Sequence, residues 1–168
     1  MINNERNIIT LKHKNIWKVS CYYSDVFGYS IYVSDFLPNR DLKIFTQQFY
    51  ENKLTKLAKD VTHMGENMIR YFAIQIVDVL AYLEANNIAH LNITPSHFLV
   101  HSNFQIKLID FSCSRYSAYE MLRITKNIKI DTDYQPNEYF NQGYLDFRNA
   151  HKIDVYSFGC ILYFLATG

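Results

Sequence analysis

The sequence of 168 residues contains little cysteine, and its cysteines form no recognisable pattern. Cys21, Cys113 and Cys160 are odd in number, far apart in the chain and never arranged as a CxxC pair. This spacing argues against a disulfide framework or a zinc site, and it favours a reducing, cytoplasmic location. Each cysteine is predicted to be a small buried hydrophobic residue.

The chain also lacks an excess of charge of either sign. Its 17 Lys and Arg residues balance 16 Asp and Glu residues, which gives a formal net charge of +1. No overall field would draw such a protein to nucleic acid or to an anionic membrane surface. The composition therefore predicts no nucleic-acid partner.

A hydrophobic run of membrane-spanning length is not expected either. The stretch from Val155 to Gly168 is uncharged and largely apolar but has only 14 residues, whereas a membrane-spanning helix needs about 20. It is predicted to be a core helix instead. At the other end, Glu5 and Arg6 interrupt the N-terminal segment, which lacks the pattern of a signal or transit peptide.

What the sequence does have is enough apolar material for a folded core. Hydrophobic residues make up 49% of the chain and charged residues 20%, which is typical of a globular domain and not of a disordered one. The length favours a single domain.

Periodicity predicts a small β-rich part followed by a mostly helical part. Apolar residues recur with helical spacing from Ile69 to Leu83, and Asn86 and Asn87 are expected to end that helix. The other predicted helices are a short one in Asn4 to Leu11, one beginning in Leu42 to Tyr50, and an apolar one from Ile153 to Ala166.

Two hairpins are predicted from β-branched and aromatic runs separated by turn residues. The first pairs Trp17 to Tyr23 with Tyr29 to Phe36, and the second pairs Phe98 to Val100 with Gln105 to Ile109. Polar residues 51–65 are expected to form a loop or a short surface helix, and residues 111–151 are expected to be rich in loops.

Three segments carry the chemistry, and they occur in a fixed order. His90 to Val100 has the sequence HLNITPSHFLV, Lys107 to Ser112 has KLIDFS, and Asp154 to Gly159 has DVYSFG. Together they resemble a eukaryotic protein kinase of the Ser/Thr type, whose motifs are a catalytic loop HRDLxxxN, a metal-binding DFG segment and a later helix DxWSxG. Leu11 to Ile16 resembles the family link LxHxNI, and Tyr134 to Glu138 resembles the family stretch YxAPE.

The resemblance implies an α+β fold of the protein-kinase type. Residues 1–37 would be a partial β-rich small lobe with the hinge, and residues 38–168 the first part of a mostly α-helical large lobe. The glycine-rich loop and the lysine strand of a kinase domain would precede Met1, so the chain is expected to be part of a larger fold and to have marginal stability alone. The helix Glu that pairs with that lysine would fall at Asn4, one place from Glu5.

The resemblance also implies ATP and Mg²⁺ as cofactors, and it assigns positions to them. Asp35 and Leu37 match hinge positions whose backbone meets the base, Asp41 matches an acid that contacts the ribose, and Leu99 matches the residue under the adenine ring. Asp110 matches the metal-binding Asp of the DFG segment. The four nucleotide positions could equally be ordinary core or loop residues.

Three of the departures from the family pattern in the catalytic loop remove a chemical group. Asn92 replaces the Asp that accepts the substrate proton, and a neutral amide cannot take up that proton near pH 7. Thr94 replaces a Lys that offsets phosphate charge, and His97 replaces an Asn that binds the second metal ion, although Mg²⁺ prefers oxygen ligands. Asn92 could instead brace the loop backbone, and His97 and His101 with Asp110 could form a transition-metal site or be ordinary hydrogen-bonded residues.

Other matches are architectural. His90, Phe111 and Asp154 keep the family residues that support the catalytic loop, which is an indication of fold and not of turnover. Ser112 replaces the flexible Gly of DFG, and Glu138 would pair with an Arg beyond the chain.

Three functional hypotheses follow. The preferred one is a pseudokinase that acts as a binding or scaffold module for other proteins, with impaired or absent phosphotransfer. The second is an active ATP-dependent Ser/Thr protein kinase, for which the retained Asp110 is the motive. The third is an incomplete gene product without a stable function, which would lack a cooperative unfolding transition.

Overall fold

The computed structural model describes residues 10–24, 30–37, 40–55, 64–116, 121–123, 131–137 and 144–168. Three α-helices dominate this part of the chain: α1 Leu42–Thr55, α2 Glu66–Ala85 and α3 Phe147–Thr167. Three single turns of 3-10 helix cover Pro95–His97, Phe111–Cys113 and Thr132–Tyr134.

Short strands pair two by two in antiparallel ladders. In chain order they are β1 Val19–Ser24, β2 Ser30–Ser34, β3 Ile88–Ala89, β4 Phe98–Val100, β5 Ile106–Leu108, β6 Arg115–Tyr116, β7 Met121–Arg123 and β8 Tyr144–Asp146. The pairs are β1 with β2, β3 with β6, β4 with β5 and β7 with β8. Both predicted hairpins are present, although the turn residues 25–29 of the first lie outside the described residues.

Helix α2 forms where the apolar rhythm predicts it. One face is buried, and its members are Phe72, Gln75, Ile76, Val79 and Leu83. The helix ends at Ala85, and the backbone N–H of the capping residue Asn86 donates to carbonyls of the last turn. Helix α2 packs against α3 and β3.

Helix α1 begins at an aspartate cap and runs further than the sequence predicts. The Asp41 Oδ1 atom accepts a hydrogen bond from the Ile44 N–H at 2.8 Å, which satisfies one of the free donors of the first turn. The helix extends past Tyr50 to Thr55, into residues expected to form a loop or a short surface helix.

Helix α3 differs from its prediction in two ways. It begins at Phe147, six residues before Ile153, in a stretch expected to be loop-rich that also contributes β6, β7 and β8. Only one face is buried, through Ile153, Ile161 and Leu165, while Tyr163 on another face is 73% exposed. Because apolar residues occur all around this helix, the sequence does not indicate which face is buried.

The β1–β2 hairpin is joined to the helical part through the segment that precedes it. The Trp17 N–H donates to the Leu108 carbonyl at 3.0 Å, and the Leu108 N–H donates to the Asn15 carbonyl at 2.7 Å. Ile16 and Leu108 are both buried in the main core. The hairpin is therefore attached beside β5, close to the segment that ends in Asp110.

Some expectations are corrected and others fall outside the described part. Cys113 is buried and Cys160 is half-buried, but Cys21 is exposed on β1, so its prediction as a buried residue is wrong. Residues 1–9, which include Asn4 and Glu5 of the predicted first helix, and residue Glu138 lie outside the described residues. In the ranges given above, no helix is long and apolar enough to cross a membrane. The fold class is α+β, as predicted.

Candidate functional site

A buried carboxylate holds the start of the loop that carries the predicted catalytic positions. The Asp154 side chain accepts two hydrogen bonds at 2.8 Å, one from the His90 N–H and one from the Leu91 N–H. Leu91 adopts a φ of 64°, a left-handed conformation that is costly for a branched residue. Burial raises the pKa of Asp154 to about 7, against the lowering effect of the two N–H donors. These bonds fix the direction in which the loop leaves β3.

His90 anchors the same loop to the segment that contains Asp110. Its ring packs edge-to-face on Phe111 with centroids 4.8 Å apart, and its Nε2 lies 3.2 Å from the Ile109 carbonyl, to which it can donate. Burial lowers the pKa of His90 to about 4, so the ring is neutral near pH 7. The other ring nitrogen, Nδ1, is buried and has no hydrogen-bond partner among the described residues.

The two predicted catalytic side chains lie inside the protein. Asn92 is 3% exposed and Thr94 is 1% exposed. The Oδ1 atom of Asn92 is buried and has no hydrogen-bond partner in the described part of the chain. The expected brace of the loop comes instead from the Asn92 backbone carbonyl, which accepts from the His97 ring at 2.8 Å.

His97 joins the loop to Asp110. Its Nδ1 lies 2.8 Å from the Asn92 carbonyl and its Nε2 lies 3.3 Å from Asp110 Oδ2. The His97 backbone contributes too, because its carbonyl accepts from the Ile109 N–H at 2.9 Å. The two predicted metal-site residues, His97 and Asp110, are thus brought together.

Asp110 sits at the turn between β5 and the 3-10 helix Phe111–Cys113. Its φ is 58°, and its Oδ1 accepts from the Ser112 N–H at 3.2 Å. Burial by itself would raise the pKa of Asp110, but the Ser112 hydrogen bonds and the nearby His97 outweigh it and lower the pKa below its usual value. Asp110 is therefore a carboxylate with a partner at each oxygen.

Of the positions predicted for the base and the ribose, Asp41 and Leu99 are brought together as partners in an isolated antiparallel β-bridge. The Asp35 carbonyl accepts from the Trp17 indole N–H at 3.1 Å, while the Asp35 side chain is exposed. Leu37 and Leu99 are half-buried, and Leu99 pairs with Lys107 across β4 and β5. Asp41, the predicted ribose contact, caps α1 through Oδ1. The Asp35 carbonyl, one of the backbone groups predicted to lie near a base, thus already accepts one hydrogen bond from within the chain.

A cavity of about 190 Å³ lies between the hairpin and the Asp110 segment. Its lining residues are Trp17, Val19, Tyr32, Leu108, Ile109, Asp110, Phe111 and Ser112. The wall is mostly apolar, and Asp110 contributes a carboxylate to it. Leu99 and the hinge positions Asp35 and Leu37 are not part of this lining.

The order of the motifs and the geometry that supports them agree with the comparison to known proteins. The family model described as protein kinase domain matches residues 1–168. The chain belongs to the protein kinase family.

Three relatives illustrate how far the kinase similarity extends. Over 122 residues the chain is 30% identical to Serine/threonine-protein kinase PKH2 of Saccharomyces cerevisiae, covering 67% of this chain and 11% of the relative. Over 163 residues it is 30% identical to Wall-associated receptor kinase-like 1 of Arabidopsis thaliana, covering 94% and 20%. Over 136 residues it is 29% identical to Serine/threonine-protein kinase 36 of Mus musculus, covering 81% and 10%. The chain spans between about a tenth and a fifth of the length of these curated relatives.

The donor set at Asp110 does not fit the Mg²⁺ that protein kinases use. Mg²⁺ requires a near-octahedral set of oxygen ligands, but the residue at the predicted second ligand position is His97, whose imidazole contacts the Asp110 carboxylate. His101, the third residue of the possible transition-metal site, hydrogen-bonds Asn103 in the β4–β5 turn instead. Among the described residues, no group of three or more His, Cys, Asp or Glu side chains is placed to hold a metal ion.

Two buried glutamines support this kinase-family site, and the sequence analysis did not identify them. Gln135 Nε2 donates to the Leu91 carbonyl at 3.2 Å, so the loop that carries the predicted catalytic positions is held by Gln135 as well as by Asp154. Gln75 Oε1 accepts from Asn15 Nδ2 at 2.9 Å and from the Ile106 N–H at 3.0 Å. These bonds connect α2 to the segment before β1 and to β5. A polar residue on the apolar stripe of α2 was the available signal for Gln75.

Proposed function

We propose that this chain is a kinase-fold binding or scaffold module that does not transfer phosphate. The observation that carries the proposal is the burial and neutrality of Asn92 and Thr94, which are 3% and 1% exposed. A catalytic base must come within hydrogen-bond reach of the proton it removes. The Asn92 amide is buried and so does not come within that reach. It is also neutral and cannot take up the proton.

Charge stabilisation is weakened as well. Phosphoryl transfer depends on positioning and on cations that offset the charge of the transferred group. Thr94 contributes no cation, and Asp110 is paired to His97 instead of being open to a metal ion. Loss of general-base catalysis alone costs on the order of 10²- to 10⁴-fold in rate.

We further propose the lobe division and the partners that the fold suggests. Residues 1–37 would belong to the small lobe and hinge, and residues 38–168 to the large lobe. Other proteins are the proposed partners, and ATP would bind weakly because the Asp35 carbonyl is already hydrogen-bonded to Trp17. A reducing, cytoplasmic location is consistent with three cysteines that show no disulfide spacing.

An active Ser/Thr kinase is the second candidate, and one observation favours it. Asp110 is retained, and its side chain is 38% exposed at the edge of the cavity. An active enzyme would require Mg²⁺ to displace His97 from Asp110 when the nucleotide binds.

Production of ADP from Mg-ATP distinguishes the two candidates. We expect the purified chain and its Asp110→Ala variant to release ADP at the same background rate, because neither completes a metal site. A wild-type rate above that of Asp110→Ala, growing in proportion to protein concentration, would favour the active kinase.

A further inference from the structure

His97 occupies a position in which its two ring nitrogens face two acceptors. One acceptor is the Asn92 backbone carbonyl at 2.8 Å, and the other is the Asp110 carboxylate at 3.3 Å. A carbonyl and a carboxylate can only accept, so a hydrogen bond at either contact is donated by the ring. His97 therefore lies between the Asn92 loop and the Asp110 segment and contacts both.

The remaining Asp110 oxygen is also engaged. Oδ1 accepts from the Ser112 N–H at 3.2 Å, while Oδ2 contacts His97. The backbone of His97 is fixed as well. It lies in the 3-10 turn that begins at Pro95, and the His97 carbonyl accepts from the Ile109 N–H at 2.9 Å. A cation entering this site would have to break the His97 contact and then find further oxygen ligands.

We propose that His97 is a built-in partner of the Asp110 carboxylate that takes the place of the divalent cation, so that the site excludes Mg²⁺. His97 is a positioning residue in this account, because it fixes the Asp110 carboxylate and the loop at Asn92 relative to each other. A nucleotide that reaches the cleft would then bind without a divalent metal ion. This inference rests on the proposed function and deepens it.

Binding of Mn²⁺ tests the exclusion directly, since Mn²⁺ takes the same oxygen ligands as Mg²⁺ and its free form gives an electron paramagnetic resonance signal. We expect the free Mn²⁺ signal to be the same in the presence of the wild-type chain and of Asp110→Ala, up to about 1 mM Mn²⁺. Weak protein sites for divalent cations fill in that concentration range. We expect His97→Asn, which restores an oxygen ligand, to reduce the free signal. Saturable wild-type binding that Asp110→Ala abolishes would overturn the proposal, and so would a His97→Asn protein that binds no more than wild type.

A double-mutant cycle tests the pairing without any metal. In thermal unfolding with EDTA present, we expect His97→Ala to lower Tm by about 2–4 °C, the shift that a loss of about 1 kcal/mol gives in a chain of this size. In an Asp110→Asn background the same change should lower Tm by less than about 1 °C, because contacting residues are not additive. Equal Tm losses in the two backgrounds would contradict the pairing.

His101→Ala is the matched control, because His101 contacts Asn103 and not Asp110. Its effect on Tm should be the same with and without Asp110→Asn. The tests also separate this inference from the proposed function. Mn²⁺ binding without ADP release would overturn only the exclusion of metal ions by His97, whereas Asp110-dependent ADP release would overturn the proposed function as well.

Discussion

Two groups of residues in the same loop differ sharply in how they are used. His90 and Leu91 have their backbone N–H groups bonded to Asp154 at 2.8 Å. The next residue, Asn92, carries a buried Oδ1 with no hydrogen-bond partner in the described part of the chain. The groups that support the fold follow the kinase pattern, whereas the groups at the catalytic positions do not.

The difference indicates that the contacts supporting the fold and the predicted catalytic positions involve separate side chains. Buried backbone donors are costly to leave without partners, so Asp154 is needed wherever the loop takes this course. The catalytic positions carry no such requirement, because a neutral side chain can occupy them while the Asp154 bonds remain. Variants of the supporting residues should therefore affect stability far more than they affect any measured turnover.

Replacement of Asp154 should give the largest effect. Asp154→Ala leaves two buried N–H groups without partners, and each costs about 1–3 kcal/mol, so we expect the free energy of unfolding at pH 7 to fall by about 2–6 kcal/mol in urea denaturation. Asp154→Asn, which keeps one acceptor oxygen, should lose less. Asp133→Ala on the exposed 3-10 turn Thr132–Tyr134 is the control and should change the value by less than about 0.5 kcal/mol. Equal effects at positions 154 and 133 would break the comparison.

The pH dependence of His90 should give the next effect. Its pKa is about 4 in the folded chain and returns to its ordinary value of 6.5 on unfolding, so the unfolded chain binds the proton first as the pH falls. The stability that the neutral ring contributes is complete above pH 6.5 and is lost toward pH 4, in total about 3 kcal/mol. The advantage of wild type over His90→Gln should shrink by that amount between pH 7 and pH 4.

Asp154 changes the stability of the chain with pH in the opposite direction to His90. The quantity to measure is therefore the difference in free energy of unfolding between wild type and His90→Gln. The raised pKa of Asp154 makes the folded chain bind a proton that the unfolded chain has released, so its contribution falls as the pH rises from about 4 to about 7. The same contribution is present in wild type and in His90→Gln and cancels in their difference. A difference that stays constant from pH 7 to pH 4 would show that His90 is not held neutral by burial.

Trp17→Phe should give the smallest effect, and it tests a supporting contact at Asp35, a predicted hinge position. The change removes the indole N–H that bonds the Asp35 carbonyl, and we expect a loss of about 0.5–1.5 kcal/mol in the free energy of unfolding. Tyr23→Phe on the same hairpin is the control, because its side chain is exposed and its loss should be near zero. A loss for Trp17→Phe no larger than that for Tyr23→Phe would mean that the indole bond contributes nothing.

Much of the fold could be predicted from the sequence because local patterns determine it. The apolar stripe of α2 specifies both the helix and its buried face, and the turn residues between β4 and β5 specify that hairpin. The start of α3 was missed because Phe147 to Lys152 carry no clear apolar period. The exposed Cys21 was missed because one face of the β1–β2 hairpin is solvent-accessible, which composition does not reveal.

The candidate site was less predictable for a physical reason. His97 contacts partners 5 and 13 residues away, and which ring nitrogen meets which acceptor depends on the course of two loops. The role of Asp41 as a helix cap follows from a general preference at helix starts, yet the resemblance directed attention to a ribose contact instead. Asn92 and Thr94 were recognised by motif, but their burial depends on packing that no motif records.

Transfer of phosphate from radiolabelled ATP to protein is the most direct test of the separation between fold and chemistry. The measurement follows label on the chain itself and on an added mixture of proteins, with wild type and Asp110→Ala in parallel and Mg²⁺ present. We predict identical background labelling for the two proteins. Labelling by wild type that Asp110→Ala lacks would contradict the account.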